Sequence, residues 1–397
     1  MKLSKTAELI CPSPTLSMAS RVQEKRAEGA EIVDFSAGEP DFNTPDCIKA
    51  AAVQALEENF THYTPYAGID ELRRAFADYL ADFGLEYDKS QIVVSNGSKH
   101  ALKNAFTAIL DAGDEVIVPA PYWNSYIDII NMCGGVPVVV NTKKSNGFRV
   151  QLEQLEAALT DKTKALIINS PNNPTGMVYS ADELAEIGKF AIENDLYIIS
   201  DEIYCRLIYS KKLKHVSIAS LGEDIKERTV VIGGLSKSHA MTGWRVGFSA
   251  SNNELAEAIA RIQSNSTSNV NSIAQKAAVA ALQCAEEDAN AMLKEFEHRR
   301  DYIAQRISDI PFLSSLLPKG AFYIFVDVSK LIGENVGGRK IEKAADVAEI
   351  LFDKYNVAVV PSDAFGCEDH IRISYATGMR DIVEGVNRIE RFVKENF

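Results

Sequence analysis

The sequence contains no long hydrophobic run and no excess of positive charge. None of its apolar stretches approaches the roughly 18 residues that a membrane-spanning helix requires. Lysine and arginine number 42 against 55 aspartates and glutamates, which leaves a net charge of −13. A nucleic-acid or anionic-membrane partner would call for a basic face instead. The first ten residues are broken by charges and lack a signal-peptide core. We therefore expect a cytoplasmic protein that binds neither nucleic acid nor a membrane.

Cysteine and histidine are also sparse, with six of each. The cysteines show no CxxC spacing, and no two histidines are paired at helical spacing. We therefore expect free thiols in a reducing compartment, no disulfide framework and no metal site.

What the sequence does contain is an alternation of strand-like and helix-like segments. Its 397 residues, 46% of them apolar, suffice for two domains. Short β-branched runs occur at 91–94, 115–118, 136–140, 165–168, 196–199 and 229–232. Helical stretches lie between many of them, such as 181–193, which Ser180 would cap. This alternation predicts an α/β fold, in which a mostly parallel sheet is covered by helices on both faces.

The pattern changes near residue 290. Predicted helices at 291–307 and 344–355 alternate there with strand-like runs at 320–327, 357–360 and 371–375. We expect a smaller α+β domain at 291–397, a large domain at 45–290, and an N-terminal arm at 1–44 that joins the small domain.

Lys237 is the most informative residue. It lies among small residues in the loop that follows the run 229–232, and Arg245 comes eight positions later. A lysine so placed could form a Schiff base with a phosphorylated aldehyde while the arginine holds the phosphate. The pattern therefore indicates a site for pyridoxal 5′-phosphate (PLP).

Other predicted strands also end in polar loops, where α/β sheets bind their ligands. Gly97 and Ser98 open a helix whose N-terminus suits a phosphate. Trp123 could stack on a pyridine ring or simply pack in the core. Asn173 lies in a loop rich in proline and asparagine, which could equally reflect turn chemistry.

Together these loops fit one cofactor and one amino acid. Asp201 would pair with the ring nitrogen, and Tyr204 and Asn173 would hydrogen-bond the ring's phenolic oxygen. Lys237 would serve as the base that moves the substrate proton. Arg372 would bind the substrate α-carboxylate as a fork.

These residues closely resemble the class I, fold-type I PLP-dependent aminotransferases, over about residues 13–392. The matching pieces are 36–42, 63–68, 121–123, 172–176, 200–204, the Lys237 loop, 320–323 and 372–375. The resemblance implies the PLP-transferase fold type I, a transaminase activity and amino acid and 2-oxo acid substrates. Within the family, the whole sequence is most similar to the bacterial aspartate aminotransferase subgroup.

The resemblance also implies a homodimer with shared active sites. Tyr63 matches the tyrosine that reaches the neighbouring subunit's cofactor phosphate, and Gly38 matches a glycine near the substrate carboxylate. Ser236 and Lys99 fall at cofactor-binding positions. The bond before Pro174 is expected to be cis, as is typical of the family.

Substrate choice rests on departures from the family pattern. Many aspartate aminotransferases take an arginine from the partner subunit for the distal carboxylate, but the stretch 265–268 offers only asparagine, serine and threonine. Lys99, however, stands where the bacterial subgroup uses lysine for that carboxylate, and a buried lysine without an anion would be costly. Gly234 replaces a phosphate-binding serine, so that contact is either absent or supplied by backbone. Residues 11–13 lack the lysine of relatives that accept prephenate, which argues against that substrate.

The leading hypothesis is transfer of the amino group of L-aspartate to 2-oxoglutarate by a ping-pong mechanism. The alternatives are an aminotransferase that prefers alanine or aromatic amino acids and a PLP-dependent C–S lyase, because fold does not fix the reaction. A non-catalytic sensor fused to a DNA-binding module would need a further segment, for which the chain has no room.

Overall fold

The computed structural model describes residues 2–10, 14–210 and 213–397. No helix within those ranges is both long and apolar enough to cross a membrane. The helices are α1 Lys5–Leu9, α2 Pro14–Ala27, α3 Asp46–Glu57, α4 Asp70–Ala81, α5 Ser98–Ile109, α6 Ser125–Met132, α7 Leu152–Ala158, α8 Ala181–Glu193, α9 Glu223–Lys226, α10 Asn253–Ser266, α11 Ser272–Cys284, α12 Glu286–Ser308, α13 Ala344–Tyr355 and α14 Met379–Asn396. The strands are β1 Val33–Asp34, β2 Ile92–Ser95, β3 Glu115–Ala120, β4 Val136–Asn141, β5 Thr163–Asn169, β6 Tyr197–Asp201, β7 Thr229–Gly234, β8 Gly247–Ala250, β9 Ser314–Ser315, β10 Tyr323–Asp327, β11 Asn335–Val336, β12 Arg339–Lys340, β13 Val357–Ala358, β14 Val360–Pro361 and β15 His370–Ser374.

A seven-stranded sheet in the order β2-β8-β7-β6-β5-β3-β4 forms the centre of the larger part. Only β8 runs antiparallel to its neighbours. The edge strand β2 and its neighbours β8 and β7 are buried along their whole length, as expected where helices cover both faces. The predicted α/β fold is confirmed, and all six predicted strands are present. The strand that the sequence did not reveal is β8, a four-residue segment beginning with a glycine.

Local sequence explains where the elements begin. The Ser180 side chain accepts a hydrogen bond from the Glu183 backbone N–H, and the Glu183 carboxylate accepts one from the Ser180 backbone N–H. This capping box satisfies N–H groups that a helix start leaves unpaired. It fixes the start of α8 at the predicted residue.

The buried apolar residues divide into separate cores. Three clusters surround the seven-stranded sheet, and we call these together the first core. The second core contains Val33 and Phe35 of the N-terminal segment and then residues from Met292 to Val393. Its small sheet has the order β14-β15-β10-β9 and is antiparallel throughout. The chain therefore crosses between the cores twice, near residues 42–48 and again near 285–292.

The predicted domain boundaries lie close to these two crossings. The boundaries at 44 and 290 stay a prediction, which the separation of the two cores supports. One segment does not follow the division, because Ile203, Tyr204 and Leu207 come after β6 of the large sheet yet pack in the second core. That segment places the end of β6 against the smaller part of the chain.

The expectation of free thiols is wrong for two cysteines. Cys47 of α3 and Cys284 of α11 form a disulfide, although 237 positions separate them in the sequence. The two helices pack against each other, which brings the sulfurs together. Sequence spacing could not reveal this pairing, because it depends on how α3 and α11 dock. Cys133, Cys205 and Cys367 are free thiols, as expected.

We predict that Phe296→Ala destabilises the fold by about 3–5 kcal/mol, since the ring is fully buried in α12 and its removal leaves a cavity. It packs at 5.4 Å from Phe42 and 5.5 Å from Phe322, measured between ring centroids. Denaturant unfolding measures the change. Leu317→Ala is the control, because Leu317 is 55% exposed and its loss should cost under about 0.5 kcal/mol. Equal effects for the two variants would contradict the packing assigned to Phe296.

Candidate active site

A cavity of about 540 Å³ lies between the two cores, at the carboxyl ends of the parallel strands. Helix α2 lines one side of it through Ala19, Gln23 and Arg26. The other lining residues that matter here come from segment 34–39, the ends of the large sheet's strands, and the small sheet: Asp34, Gly38, Glu39, Ser98, Lys99, Trp123, Asn173, Asp201, Tyr204, Ser236, Lys237, Arg245, Tyr323 and Arg372. The cavity thus brings together all of the predicted site residues except Gly97, which precedes Ser98, and Tyr63.

Lys237 reaches into this cavity from the loop after β7. Its Nζ donates a hydrogen bond of 2.7 Å to the Gly38 carbonyl oxygen. The pKa of Lys237 is lowered from its ordinary value of 10.5 to about 8, mainly by burial; Glu39 opposes the shift, and Arg245 and Arg372 contribute to it. About a tenth of this amine is therefore uncharged at pH 7, far more than for an ordinary lysine, and a nucleophile or base needs the uncharged form.

Asp201 ends β6 and is 3% exposed. Burial raises the pKa of its carboxyl group to about 6, although hydrogen bonds oppose the shift. Those bonds come from the Tyr126 hydroxyl, at 2.5 Å, and from the Ile203 backbone N–H, at 3.2 Å. Asn169 at the end of β5 donates to the Asp201 carbonyl oxygen and accepts from the Asn173 N–H. This pair of bonds ties the loop of Asn173 to the strand end that carries Asp201.

Tyr204 follows one turn after Asp201. Its hydroxyl lies 2.9 Å from the Tyr323 hydroxyl, and both rings are buried. Burial holds the pKa of Tyr204 well above its usual range, so the hydroxyl stays protonated and can donate a hydrogen bond to a bound oxygen anion.

Arg372 lies on β15 and is 1% exposed. Its guanidinium donates to the Asn173 side-chain oxygen at 3.0 Å and to the Ser36 carbonyl oxygen at 2.8 Å. It stacks over the Tyr323 ring at 4.5 Å. None of these partners is a carboxylate, and its Nε has no hydrogen-bond partner among the described residues. A buried cation without a counter-charge is costly, so this site is built to receive an anion.

The opposite end of the cavity also suits an anion. Ser98 begins α5, and Gly97 before it has a φ of +79°. A Cβ added at Gly97 would lie 2.4 Å from Arg245 Nη2, so only glycine lets the helix start and the guanidinium approach so closely. Gly234 is constrained too, because a Cβ there would lie 2.9 Å from the Ser98 hydroxyl oxygen. The serine that many relatives carry at that position has no room here.

Lys99 and Trp123 lie side by side at the cavity wall. The Lys99 Nζ is 4.8 Å from the centre of the Trp123 ring. Lys99 is exposed in the single chain, so the expectation that it is buried is wrong. Nearby protein atoms and Arg245 nevertheless lower its pKa, while Asp128 opposes the shift. Trp123 is half-buried, and its position on the cavity supports the ligand-contacting alternative over simple core packing.

Three further predictions concern Tyr63, the peptide bond before Pro174 and the segment 11–13. Tyr63 is 91% exposed and does not line the cavity of its own chain. The peptide bond before Pro174 is cis, as predicted. The segment 11–13, on which the prephenate argument depends, lies outside the described residues.

Sequence reasoning assigned no role to two tyrosines that shape the site. Tyr126 hydrogen-bonds Asp201, and it follows Trp123 by three residues, in the first turn of α6. That spacing is the signal that could have revealed it. Tyr323 contacts both Tyr204 and Arg372, but only the folded small sheet brings it there.

A small cluster of possible metal ligands lies away from this cavity. The His370 Nδ1 is 2.6 Å from a carboxylate oxygen of Asp369, and the Cys367 sulfur is 3.0 Å from the same oxygen. These groups hydrogen-bond one another, while the buried His370 Nε2 has no partner among the described residues. The expectation of no metal site stays untested.

Proteins of similar sequence support what the geometry of the cavity indicates. The model of the family described as aminotransferase class I and II matches residues 30–389. This chain belongs to the class I and II aminotransferases. Such enzymes are transaminases.

Individual aminotransferases resemble it along their whole length. The aspartate aminotransferase of Bacillus subtilis (strain 168) is 43% identical over 397 residues, covering 100% of both chains. The probable aspartate/prephenate aminotransferase of Aquifex aeolicus (strain VF5) is 45% identical, covering 97% of this chain and 96% of the relative. The crystal structure of the aspartate aminotransferase from Rhizobium meliloti superposes with a TM-score of 0.96 at 36% identity, covering 100% of this chain and 99% of the other. The predicted fold type I is thereby confirmed.

We predict that Lys237→Met makes the cofactor-free aminotransferase more stable near pH 7. The folded-state pKa of about 8 lies below the ordinary 10.5. Folding the charged amine therefore costs up to about 3 kcal/mol below pH 8. This cost disappears as the pH rises from about 8 to 10.5, whereas methionine carries no such cost at any pH.

Urea unfolding of both proteins between pH 7 and 9.5 tests this prediction. The gap in unfolding free energy should narrow as the pH rises. A difference in unfolding free energy that does not change with pH would mean that burial does not destabilise the charged amine of Lys237.

Proposed function

We propose that this aminotransferase transfers the amino group of L-aspartate to 2-oxoglutarate by a ping-pong mechanism in the cytoplasm. The observation that carries the proposal is Arg372, a buried guanidinium with no carboxylate partner among the described residues. An α-amino acid and a 2-oxo acid both present an α-carboxylate that a guanidinium binds through two parallel hydrogen bonds. Both substrates can therefore use the same anchor in turn.

We further propose PLP as the cofactor, and the residues present fit it. Ser98 at the start of α5 and Arg245 would hold the phosphate, with Gly97 leaving the space for that approach. Asp201 would pair with the ring nitrogen, and Tyr204 would donate to the ring oxygen. When bound, PLP supplies an aldehyde that condenses with amines and an aromatic ring that withdraws electrons from the substrate Cα.

Lys237 would carry the proton in this reaction. An amine with a pKa near 8 can accept a proton at neutral pH and can also return it, so one group serves both directions. Its hydrogen bond to the Gly38 carbonyl at 2.7 Å orients the amine between proton transfers. The low exposure of Asp201 and Arg372 keeps water from screening the charges around it.

Tyr126 would position Asp201. Its hydroxyl donates to one carboxylate oxygen at 2.5 Å, and the Ile203 N–H donates to the other. Both bonds favour the ionised carboxylate against the effect of burial. The ring nitrogen of the cofactor would then meet a negative charge that is already oriented.

Lys99 would contact the distal carboxylate of a dicarboxylic substrate. It lies at the cavity wall, its ammonium lies close to the Trp123 ring, and no ion pair with a described residue is formed within 4 Å. The names of the relatives from Bacillus subtilis and Aquifex aeolicus support aspartate as the donor. Alanine and aromatic amino acids lack a distal anion for this lysine.

We also propose a homodimer with shared active sites. Tyr63 is 91% exposed, and Lys99 and Arg245 at the cavity are exposed as well. A second subunit that covers this face would enclose the phosphate end and place its own Tyr63 there.

We expect Lys99→Ala to lower kcat/KM for aspartate and glutamate by roughly 10- to 100-fold, the loss of one charge-assisted contact, while alanine turnover changes little. Steady-state kinetics with a panel of donors measures this. Lys103→Ala, one turn later on α5, is the matched control. Equal losses for all donors would show that Lys99 holds the cofactor rather than the substrate.

Lys237→Ala should abolish turnover of every donor, because the other lysine that lines the cavity, Lys99, is exposed, whereas burial lowers the pKa of Lys237 to about 8. A second experiment distinguishes a transaminase from a lyase. It measures how much amino donor the unmodified enzyme consumes in the absence of a 2-oxo acid acceptor. One amino group taken up per site indicates transfer, and continuous release of ammonia indicates a lyase.

The shared site can be tested with mixed dimers. Tyr63→Ala and Lys237→Ala carry their lesions on different sides of the proposed interface. If the Tyr63 of each subunit serves the neighbouring site, a dimer of one Tyr63→Ala subunit and one Lys237→Ala subunit has both substitutions in one site and neither in the other. Mixing the two variants should therefore restore activity. If a mixed dimer whose composition is verified by its mass remains inactive, the proposal of shared active sites is contradicted.

A further inference from the structure

The disulfide between Cys47 and Cys284 joins the two places where the chain crosses between the cores. Cys47 lies in the first turn of α3 and packs on the first core, five residues after Phe42, which packs on the second. Cys284 is the last residue of α11, and α12, which carries Phe296 into the second core, begins at Glu286. A covalent bond at this point limits how far the two crossings can separate.

The first crossing is also in contact with the loop of Lys237. The Gly38 carbonyl accepts the hydrogen bond from Lys237, and the Thr44 hydroxyl donates to the Ala240 carbonyl at 2.6 Å. Thr44 is only three residues from Cys47 in the sequence. The segment 38–45, which contains no helix or strand, therefore runs from the proposed catalytic amine to the start of α3, whose second residue is Cys47.

The bond is accessible to small redox reagents. Cys284 is exposed and Cys47 is half-buried, whereas structural disulfides are protected when they lie in a core. Forming the bond removes one proton and one electron from each thiol. An oxidised thiol compound such as glutathione disulfide accepts both electrons and both protons and becomes two thiols.

We propose that Cys47 and Cys284 form a redox-controlled clasp that sets the mobility of the two crossings and, through segment 38–44, the affinity of the site. The oxidised form holds the segment against the Lys237 loop. The reduced form, which reducing compartments favour, releases it. The effect on affinity rests on the proposed function, but the effect on mobility does not.

The test compares the PLP-loaded enzyme after oxidation by glutathione disulfide with the same enzyme after reduction. Oxidation should remove two titratable thiols. Reduction should speed amide hydrogen exchange by at least about tenfold at 38–50 and 280–290, lower the unfolding midpoint by about 3–5 °C, and raise the KM for the amino donor several-fold with a smaller change in kcat.

Matched variants separate the clasp from general thiol effects. Cys47→Ser and Cys284→Ser should each behave as the reduced enzyme does and no longer respond to oxidation. Cys133→Ser removes a free, half-buried thiol and should keep the full response. Loss of two thiols without any change in exchange or midpoint overturns the clasp, and so does failure of the two cysteines to pair. If exchange changes as expected but KM does not, the link to the active site is wrong, while absence of transaminase activity in both forms would count only against the proposed function.

Discussion

Three charged side chains meet in one cavity without pairing with one another, and the rest of the structure serves to hold them apart. Lys237, Asp201 and Arg372 come from two different sheets, and each is withdrawn from water by the surrounding protein. Water would screen such charges if they were free to approach it, and direct ion pairs would cancel them. Rigid attachment to strand ends keeps each charge available for a ligand.

The two-core architecture explains how this separation is achieved. Lys237 and Asp201 follow neighbouring parallel strands of the large sheet, β7 and β6, whose backbone cannot shift without disturbing a buried core. Arg372 lies within β15 of the small sheet, where β10 and β14 flank it. The proposed α-carboxylate anchor therefore belongs to one core and the amine to the other. A substrate that touches both links the two cores, so binding is coupled to their relative position.

Much of the fold and most of the site were predictable from the sequence, for identifiable reasons. The strands around Val230 and Ile198 are β-branched and apolar, and the residues that follow such strands must face the ligand edge of the sheet. Contacts made by folding alone were not predictable. Tyr323 reaches Arg372 only because β10 pairs with β15, and Cys47 meets Cys284 only because α3 docks on α11. The exposure of Lys99 was misjudged for the same reason.

The two ends of the cavity differ in how far the chain buries their charged residues. Asp201 and Arg372 are almost fully buried, whereas Lys99 and Arg245 at the opposite end remain exposed. Cations in contact with water bind a phosphate or carboxylate weakly, because solvent screens them. A second surface laid over that end would remove the water and strengthen both contacts. Tyr63, a large aromatic residue 91% exposed on the same chain, is the kind of side chain that such a surface would contribute in return.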